Sequence, residues 1–256
     1  MEFRPCIDIH NGKVKQIVGS SLKDEGNMAK ENFVSDKPAS YYAKLYMQYG
    51  LKGGHVIMLN ATDSEYYQAT RDAAMTALCA YPQGLQVGGG INDLNAEEFI
   101  AAGASHVIVT SYAFKDAVIR YDNLERLKAA VGREHIVLDL SCRRRGDSYY
   151  VVTDRWQKFT EAVLNAQLLD ELSSYCDEFL VHAADVEGKS AGIDIEVLKI
   201  LAETDSTVTY AGGISSIDDI RLIREMTGGS VNITVGSRLD IFGGDLSMEG
   251  VLECIR

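Results

Sequence analysis

The run Leu85-Gln86-Val87-Gly88-Gly89-Gly90-Ile91 recurs later in the chain as Val208-Thr209-Tyr210-Ala211-Gly212-Gly213-Ile214. Each copy is an apolar strand that ends in glycines, followed by a helical stretch and a second β-branched strand, at residues 107–109 and 233–235. Small residues follow these second strands, Thr110-Ser111 in one copy and Gly236-Ser237 in the other. Two equivalent glycine-rich exits predict a ligand with two equivalent ends.

Around this repeat, β-rich and helical runs alternate from one end of the chain to the other. Eight predicted strands cover residues 6–9, 55–59, 85–87, 106–109, 136–140, 179–181, 208–210 and 232–235. Eight predicted helices cover residues 38–49, 67–80, 96–102, 123–131, 161–175, 195–202, 217–226 and 248–255. The strands are short apolar runs, as expected for parallel strands covered on both faces. The count and order favour an α/β fold of the (β/α)8 TIM barrel type over a doubly wound open sheet.

The two halves of the chain also match outside the glycines. Residues 55–63 align with residues 177–185, and Ile7-Asp8 aligns with Leu138-Asp139, so the first four strands correspond to the last four. No linker rich in Pro, Gly or Ser separates the halves. We therefore expect a single (β/α)8 barrel domain over residues 1–256 with a two-fold half-barrel repeat, divided at about residues 1–131 and 132–256.

Two segments are longer than simple connections between a strand and the next helix. Residues 11–36 follow the first strand and residues 141–160 follow the fifth, and each contains a β-like run, at residues 14–18 and 149–152. In a TIM barrel both segments would rise from the C-terminal face, where such enzymes build lids.

The composition of the 256 residues narrows the class of partner. Lys and Arg number 25 against 37 Asp and Glu, a net charge of −12, and the longest basic run, Arg143-Arg144-Arg145, is interpreted as a solvated loop. Nucleic acid and anionic membranes need a basic face, so neither is expected as a partner. Five scattered cysteines without a Cys-x-x-Cys pair favour a reducing cytoplasm over a zinc site. No signal peptide or membrane span is expected.

Asp8 and Asp139 lie at matching places inside apolar strands. An ionised carboxylate there is costly unless it reaches water or a partner. One isolated Asp is as readily a cap or an ion-pair partner, but two at equivalent places of a duplicated barrel favour function. Two carboxylates in one mouth can divide the work, one acting as base and the other, with a raised pKa, as acid.

The glycine exits indicate phosphate binding. Gly89, Gly90, Gly212 and Gly213 would let the backbone approach an anion closely and direct N–H groups at it. A lone Gly-Gly turn is more often a tight connection, whereas two copies beside small polar exits predict two phosphate sites. The other residues predicted to form these sites are Thr110, Ser111, Gly236 and Ser237.

His182 and Trp156 are further candidates. His182 ends the sixth predicted strand, where a structural histidine is an equal alternative, and its counterpart in the second strand is Asn60. Trp156 is the only tryptophan and lies in the insert after the fifth strand, where a ligand contact is favoured over a core role.

Taken together, these segments resemble the histidine-biosynthesis barrels, and in particular the isomerase that acts on phosphoribosylformimino-5-aminoimidazole carboxamide ribotide. The resemblance covers nearly the whole chain, and residues 182–188 are similar to the eukaryotic-type branch. It is carried by the segments Cys6-Ile7-Asp8-Ile9-His10-Asn11-Gly12-Lys13-Val14, Gln86-Val87-Gly88-Gly89-Gly90-Ile91, Val137-Leu138-Asp139, His182-Ala183-Ala184-Asp185-Val186-Glu187-Gly188 and Ala211-Gly212-Gly213-Ile214-Ser215-Ser216.

The resemblance implies an Amadori rearrangement of an aminoaldose to an aminoketose, on a small bis-phosphorylated ribotide substrate. It implies that Asp8 is the general base that removes the C2 proton of the ring-opened Schiff base. Asp139 would be the general acid that protonates the ribose ring oxygen, and His182 would hydrogen-bond the substrate. No metal or organic cofactor is implied, and a monomer is favoured.

The resemblance also implies three substrate contacts outside the glycine exits. Trp156 would stack on the imidazole of the substrate, and Gly188 would contribute to binding. Bacterial relatives carry an Arg near the position of Gln16, so Lys15 beside it would be the cation that clamps the substrate.

Two other functions share these features. The sister barrel that makes imidazole glycerol phosphate, a cyclase fed with ammonia by a glutaminase, has the same duplication, aspartates and phosphate sites. It carries a Ser-x-Asp-x-Asp-Gly run at the sixth strand, which residues 182–188 do not match. A catalytically silent barrel that binds a bis-phosphorylated metabolite is the other alternative, although it would not need both carboxylates. The isomerase is the favoured interpretation.

Overall fold

The computed structural model describes residues 1–17, 31–154, 156–186 and 192–255. In these ranges, eight parallel barrel strands alternate with eight α-helices. The strands are β1 Cys6–His10, β2 Gly54–Met58, β3 Leu85–Gly88, β4 His106–Val109, β5 Ile136–Asp139, β6 Glu178–His182, β7 Thr207–Ala211 and β8 Val231–Ile233. The helices are α1 Ala39–Gln48, α2 Tyr67–Ala80, α3 Ala96–Ala101, α4 Tyr121–Val131, α5 Ala166–Leu172, α6 Ile195–Leu201, α7 Ile217–Thr227 and α8 Met248–Ile255.

The barrel strands follow one another around the sheet in chain order. The sheet closes where the segment before β1 lies along β8, because Phe3 forms a parallel bridge with Ile233. The Arg4 N–H donates to the carbonyl of Ile233 at 2.8 Å, and the Ile233 N–H donates to that of Glu2 at 2.9 Å. The predicted TIM barrel is therefore confirmed over an open sheet. Its order places β1 opposite β5, and the β3–β4 pair opposite the β7–β8 pair.

The interior of the barrel has an apolar layer and a polar layer. Ile57, Ile108, Val137, Leu180 and Ala211 form an apolar cluster inside the sheet, separate from the main core beneath the helices. Nearer the N-terminal ends of the strands, Glu178 pairs with Arg4 and accepts hydrogen bonds from Gln86 at 2.6 Å and Thr209 at 2.5 Å. This buried network occupies the bottom of the barrel, away from the carboxyl ends of the strands.

The long segment after β1 extends the barrel sheet. The strand Lys13–Ile17 pairs antiparallel with β1, and Glu31–Val34 pairs antiparallel with Lys13–Ile17. The β-like run predicted at residues 14–18 is confirmed as far as Ile17, and Val18 lies outside the described residues.

The long segment after β5 forms a sheet of its own, which we call the insert sheet. Its three antiparallel strands are Cys142–Arg145, Ser148–Thr153 and Lys158–Val163. The prediction that a helix begins at residue 161 is wrong, because residues 158–163 pair with the otherwise open edge of Ser148–Thr153. The α5 helix begins only at Ala166, where the Asn165 side chain accepts from the Leu168 N–H at 2.8 Å. The other predicted barrel elements agree with the structure to within two residues at each end.

Candidate functional site

Two clefts open at the carboxyl ends of the barrel strands, and Ile57 of β2 lines both. The first, of about 300 Å³, is lined by Asp8 and by the exits of β7 and β8, and we call it the Asp8 cleft. The second, of about 390 Å³, is lined by Asp139 and by the exits of β3 and β4, and we call it the Asp139 cleft. The structure thus brings both predicted aspartates and both glycine exits to one mouth.

Asp8 has a partner that sequence reasoning did not select. The Gln16 amide nitrogen lies 3.4 Å from Oδ2 of Asp8 and 3.6 Å from Sγ of Cys6, and Gln16 itself lines the Asp8 cleft. Because successive residues of a strand point to opposite faces, the neighbouring Lys15 points away, and it forms an ion pair with Glu31. Lys15 is not among the lining residues of either cleft. The alternation of side chains between the two faces of the strand Lys13–Ile17 could have identified Gln16 as a cleft residue.

Asp139 ends β5 and accepts several hydrogen bonds. Its Oδ1 receives the N–H of Ser141 at 3.0 Å and the Ser141 hydroxyl at 2.8 Å, and Nδ1 of His182 lies 3.4 Å away. Burial by itself would raise the pKa of Asp139. The nearby charge of His182 and hydrogen bonds from His182, Ser141 and Thr110 outweigh burial and hold this pKa below its ordinary value. The expectation of a raised pKa in one of the two carboxyls is therefore not met by Asp139.

His55 of β2 lies in the Asp8 cleft and was also missed by sequence reasoning. It is buried, and its Nε2 has no hydrogen-bond partner among the described residues. Burial, and after it the charges of Arg4 and His182, lower the pKa of His55 to about 3, so the ring is neutral. His55 was not selected from the sequence because it lies within an apolar run. It is two residues before Ile57 on β2, so both side chains face the inside of the barrel.

The two glycine exits share one backbone conformation. The φ angles are +103° at Gly89 and +123° at its counterpart Gly212, and +73° at both Gly90 and Gly213. A Cβ atom on Gly89 would stand 2.1 Å from the Met58 carbonyl oxygen, and one on Gly213 would stand 2.0 Å from the Gly192 carbonyl oxygen. Only glycine fits these turns, so the half-barrel repeat extends to the backbone of both exits.

The other predicted phosphate residues lie beside these exits. Thr110 and Ser111 line the Asp139 cleft, and Gly236 and Ser237 line the Asp8 cleft. The Thr110 side chain also hydrogen-bonds Asp139. Arg238, which sequence reasoning missed, lines the Asp8 cleft next to Ser237. Gly188 lies outside the described residues.

The N-terminus of α7 is already occupied by a carboxylate. Ser216 caps this helix in a capping box with Asp219, whose Oδ2 accepts the N–H groups of Ser215 and Ser216 at 2.8 and 2.9 Å. These two N–H groups are therefore not available to an anion at the β7 exit.

Trp156 stands on the rim of the mouth. It lines the Asp139 cleft, and its ring centroid lies 6.1 Å from that of His182. His182 lines the Asp8 cleft while contacting Asp139, so the two rings connect the clefts.

Neither a metal cluster nor a membrane span is found in the described parts of the chain. No group of three or more His, Cys, Asp or Glu side chains there could hold a metal ion. No helix within the described ranges is long and apolar enough to cross a membrane.

Comparison with known proteins agrees with the resemblance found in the sequence. Three curated relatives are named 1-(5-phosphoribosyl)-5-((5-phosphoribosylamino)methylideneamino)imidazole-4-carboxamide isomerase. The one from Medicago truncatula, named chloroplastic, is 52% identical over 257 residues, which is 98% of this chain and 81% of the relative. The one from Yarrowia lipolytica is 47% identical and covers 95% of this chain and 93% of the relative. The one from Saccharomyces cerevisiae is 47% identical and covers 96% and 94%.

The predicted isomerase resemblance, including its eukaryotic-type branch, is confirmed by these relatives. The model of the family described as Histidine biosynthesis protein matches residues 2–243. With that match and this level of identity over nearly its whole length, the chain belongs to the histidine biosynthesis protein family.

Proposed function

We propose that the protein is an isomerase of histidine biosynthesis that converts the aminoaldose ribotide to its aminoketose by an Amadori rearrangement. One observation carries the proposal. Two glycine exits of the same conformation face each other across a mouth that also holds one inward-facing carboxyl group from each half-barrel. A substrate with a phosphate at each end would bind both exits and lie across the mouth between Asp8 and Asp139.

The phosphates would be held mainly by the backbone. One would bind at Gly89 and Gly90 with Thr110 and Ser111, and the other at Gly212 and Gly213 with Gly236 and Ser237. Glycines at positive φ let N–H groups approach an anion closely, which suits a chain whose net charge is −12. Arg238 beside Ser237 would add a positive charge at one end only, and so would distinguish the two phosphates.

We propose that Asp8 is the base that removes the C2 proton of the ring-opened Schiff base. It lies in the mouth with the neutral amide of Gln16 as a neighbour. The imine nitrogen of the substrate takes up the electrons as Asp8 takes the C2 proton. The resulting enaminol becomes the aminoketose when C1 gains a proton and the C2 hydroxyl loses one. The shift moves electrons within the substrate, so the proposal requires neither a metal nor an organic cofactor.

The acid of the reaction is proposed to be Asp139 together with His182. The lowered pKa of Asp139 favours its ionised form in the unliganded protein, so the carboxylate alone is a poor proton reservoir. An imidazolium at His182, 3.4 Å from Asp139, would hold the proton and pass it to the ribose ring oxygen, directly or through Asp139. Trp156, on the rim beside His182, would stack on the imidazole of the substrate.

Incubation of the purified protein with the aminoaldose ribotide in the absence of ammonia, followed by chromatography, tests the proposal. Conversion to the aminoketose is expected, and it should be lost in Asp8→Asn and Asp139→Asn while binding is retained. Consumption of the aminoketose with ammonia to give imidazole glycerol phosphate would instead identify the cyclase. Binding without turnover of either compound would identify a silent barrel.

Location and assembly are separate proposals. We propose a cytoplasmic monomer that binds neither nucleic acid nor membrane. The plant relative is named chloroplastic, so cell fractionation is the test of the compartment. Light scattering of the purified protein tests the oligomeric state.

A further inference from the structure

Asp185 follows the end of β6, where its counterpart in the first half-barrel is Asp63, yet its carboxylate does not line either cleft of the mouth. Its Oδ1 accepts from Nε of Arg143 at 2.9 Å, and its Oδ2 accepts from the backbone N–H of Arg144 at 2.7 Å. Both donors belong to the first strand of the insert sheet. The carboxylate thus joins the insert after β5 to the segment after β6.

Arg143 also contacts the backbone of the tryptophan on the rim. Asp185 holds the Arg143 guanidinium through Nε. Nη1 of the same guanidinium donates a hydrogen bond to the Trp156 carbonyl oxygen at 3.3 Å. Trp156 has a φ angle of +67°, which is strained for a bulky L-residue and needs support from its surroundings. One guanidinium therefore connects the Asp185 carboxylate to the backbone that carries the indole ring.

The backbone beside Asp185 also contacts the insert sheet. The Ala184 N–H donates to the Cys142 carbonyl at 3.0 Å, and Cys142 forms a bridge with Ala183. A second anchor holds the insert sheet at Tyr149, which pairs with Arg144 and whose hydroxyl lies 2.8 and 2.9 Å from the two carboxylate oxygens of Asp194. Because that anchor remains when Asp185 is changed, the insert sheet should stay attached to the barrel, and the change should act mainly on the Arg143 side chain.

We infer that Asp185 is a positioning residue, whose carboxylate fixes Arg143 and through it the place of Trp156 beside His182 at the mouth. The Arg143–Asp185 pair is more than a quarter exposed on both sides, so it adds little to the overall stability of the fold. Its effect is expected in the geometry of the mouth. The consequence for catalysis rests on the proposed function, whereas the consequence for Trp156 does not.

The single tryptophan gives a direct readout that needs no substrate. In Asp185→Asn, which preserves shape but removes the charge, we expect the Trp156 emission to shift to the red and the acrylamide quenching constant to rise about twofold. Arg143→Lys should act in the same direction, because a lysine cannot bond a carboxylate and a carbonyl through one planar fork. Asp205→Asn, the same change at an exposed site on the opposite face, is the matched control and should leave both signals unchanged.

Kinetics then test the effect on substrate binding. If Trp156 stacks on the substrate, Asp185→Asn should raise KM for the aminoaldose ribotide about tenfold with kcat changed less than about threefold, and Asp185→Glu should recover part of the loss. Unchanged emission and quenching in both Asp185→Asn and Arg143→Lys would overturn the inference, whatever the activity. Altered fluorescence in a protein that does not isomerise the ribotide would support the positioning role and refute the proposed function.

Discussion

Nδ1 of His182 lies 3.4 Å from Oδ1 of Asp139, and this contact joins the ends of two neighbouring barrel strands. Asn60, the counterpart of His182, hydrogen-bonds Asn11 and Thr70 and so fixes the turn after β1. One carboxyl therefore has an imidazole beside it and the other has the amide of Gln16. The glycine exits at the two ends of the mouth share a conformation, while the groups between them differ.

The contact predicts how His182→Gln changes Asp139. The substitution removes the charge of His182, which lowers the pKa of Asp139. It leaves burial, which raises this pKa, and the hydrogen bonds from Ser141 and Thr110, which lower it. We expect the pKa of Asp139 to rise and kcat to fall about a hundredfold or more, as for loss of a general acid. The pH dependence of kcat/KM and single-turnover measurements check the prediction. A variant with wild-type kcat would contradict a role for His182 in proton delivery.

The lowered pKa of Asp139 also makes the stability of the fold depend on pH. A carboxyl whose folded pKa is lowered stabilises the fold above its ordinary pKa of about 3.9, and this stabilisation is lost as the pH falls through the lower folded value. The stability difference between wild type and Asp139→Asn should therefore be larger at pH 7 than at pH 3. In His182→Gln, where the folded pKa of Asp139 rises toward its unfolded value, this loss on acidification should be smaller than in wild type. Urea unfolding midpoints between pH 3 and pH 7 measure both effects.

Gln16 predicts the behaviour of the base. Gln16→Glu keeps the shape of the side chain but places a second carboxylate beside Asp8, which favours the protonated form of the base. The acid limb of the pH–rate profile should move to higher pH, and kcat/KM at neutral pH should fall about tenfold or more. Lys15→Gln is the control, because Lys15 lies on the opposite face of the same strand and pairs with Glu31. Equal effects of the two substitutions would argue against a specific role for Gln16.

Much of this arrangement follows from sequence, because it depends on repetition and strand order. The alternation of apolar runs predicts the barrel, and the repeated glycines and aspartates predict the contents of the mouth. The third strand of the insert sheet could not be predicted, since residues 158–163 become a strand only by pairing with Ser148–Thr153. Gln16, His55 and Arg238 were missed for a related reason. Strand pairing and the alternation of side chains along each strand bring these side chains into the mouth. Neither can be read from composition or motif spacing.

The glycine exits predict a specific loss of anion binding. Gly90→Ala places a Cβ 2.6 Å from Cγ2 of Thr62 in a backbone of positive φ, and should shift the N–H groups of the turn. We expect affinity for the ribotide to fall about tenfold, as for one lost charge-assisted hydrogen bond. Gly50→Ala is the matched control, because Gly50 has a φ of +70° but no atom within 4 Å of an added Cβ. Titration calorimetry that finds the same affinity in both variants would remove the phosphate assignment at β3.

The buried network at the bottom of the barrel predicts a large effect on stability with none on chemistry. Glu178→Gln removes the charge that pairs with Arg4, while the bonds from Gln86 and Thr209 lose their ionised acceptor. Only 1% of the Glu178 side chain is exposed, so the free energy of unfolding should fall by about 3–5 kcal/mol.

Glu196→Gln breaks a pair with Lys199 in which the Glu196 side chain is 56% exposed, and should cost less than about 1 kcal/mol. Equilibrium denaturation in urea compares the two. Similar small losses in both would mean that Arg4 finds another partner. The folded fraction of Glu178→Gln should retain wild-type kcat, because Glu178 lines neither cleft of the mouth.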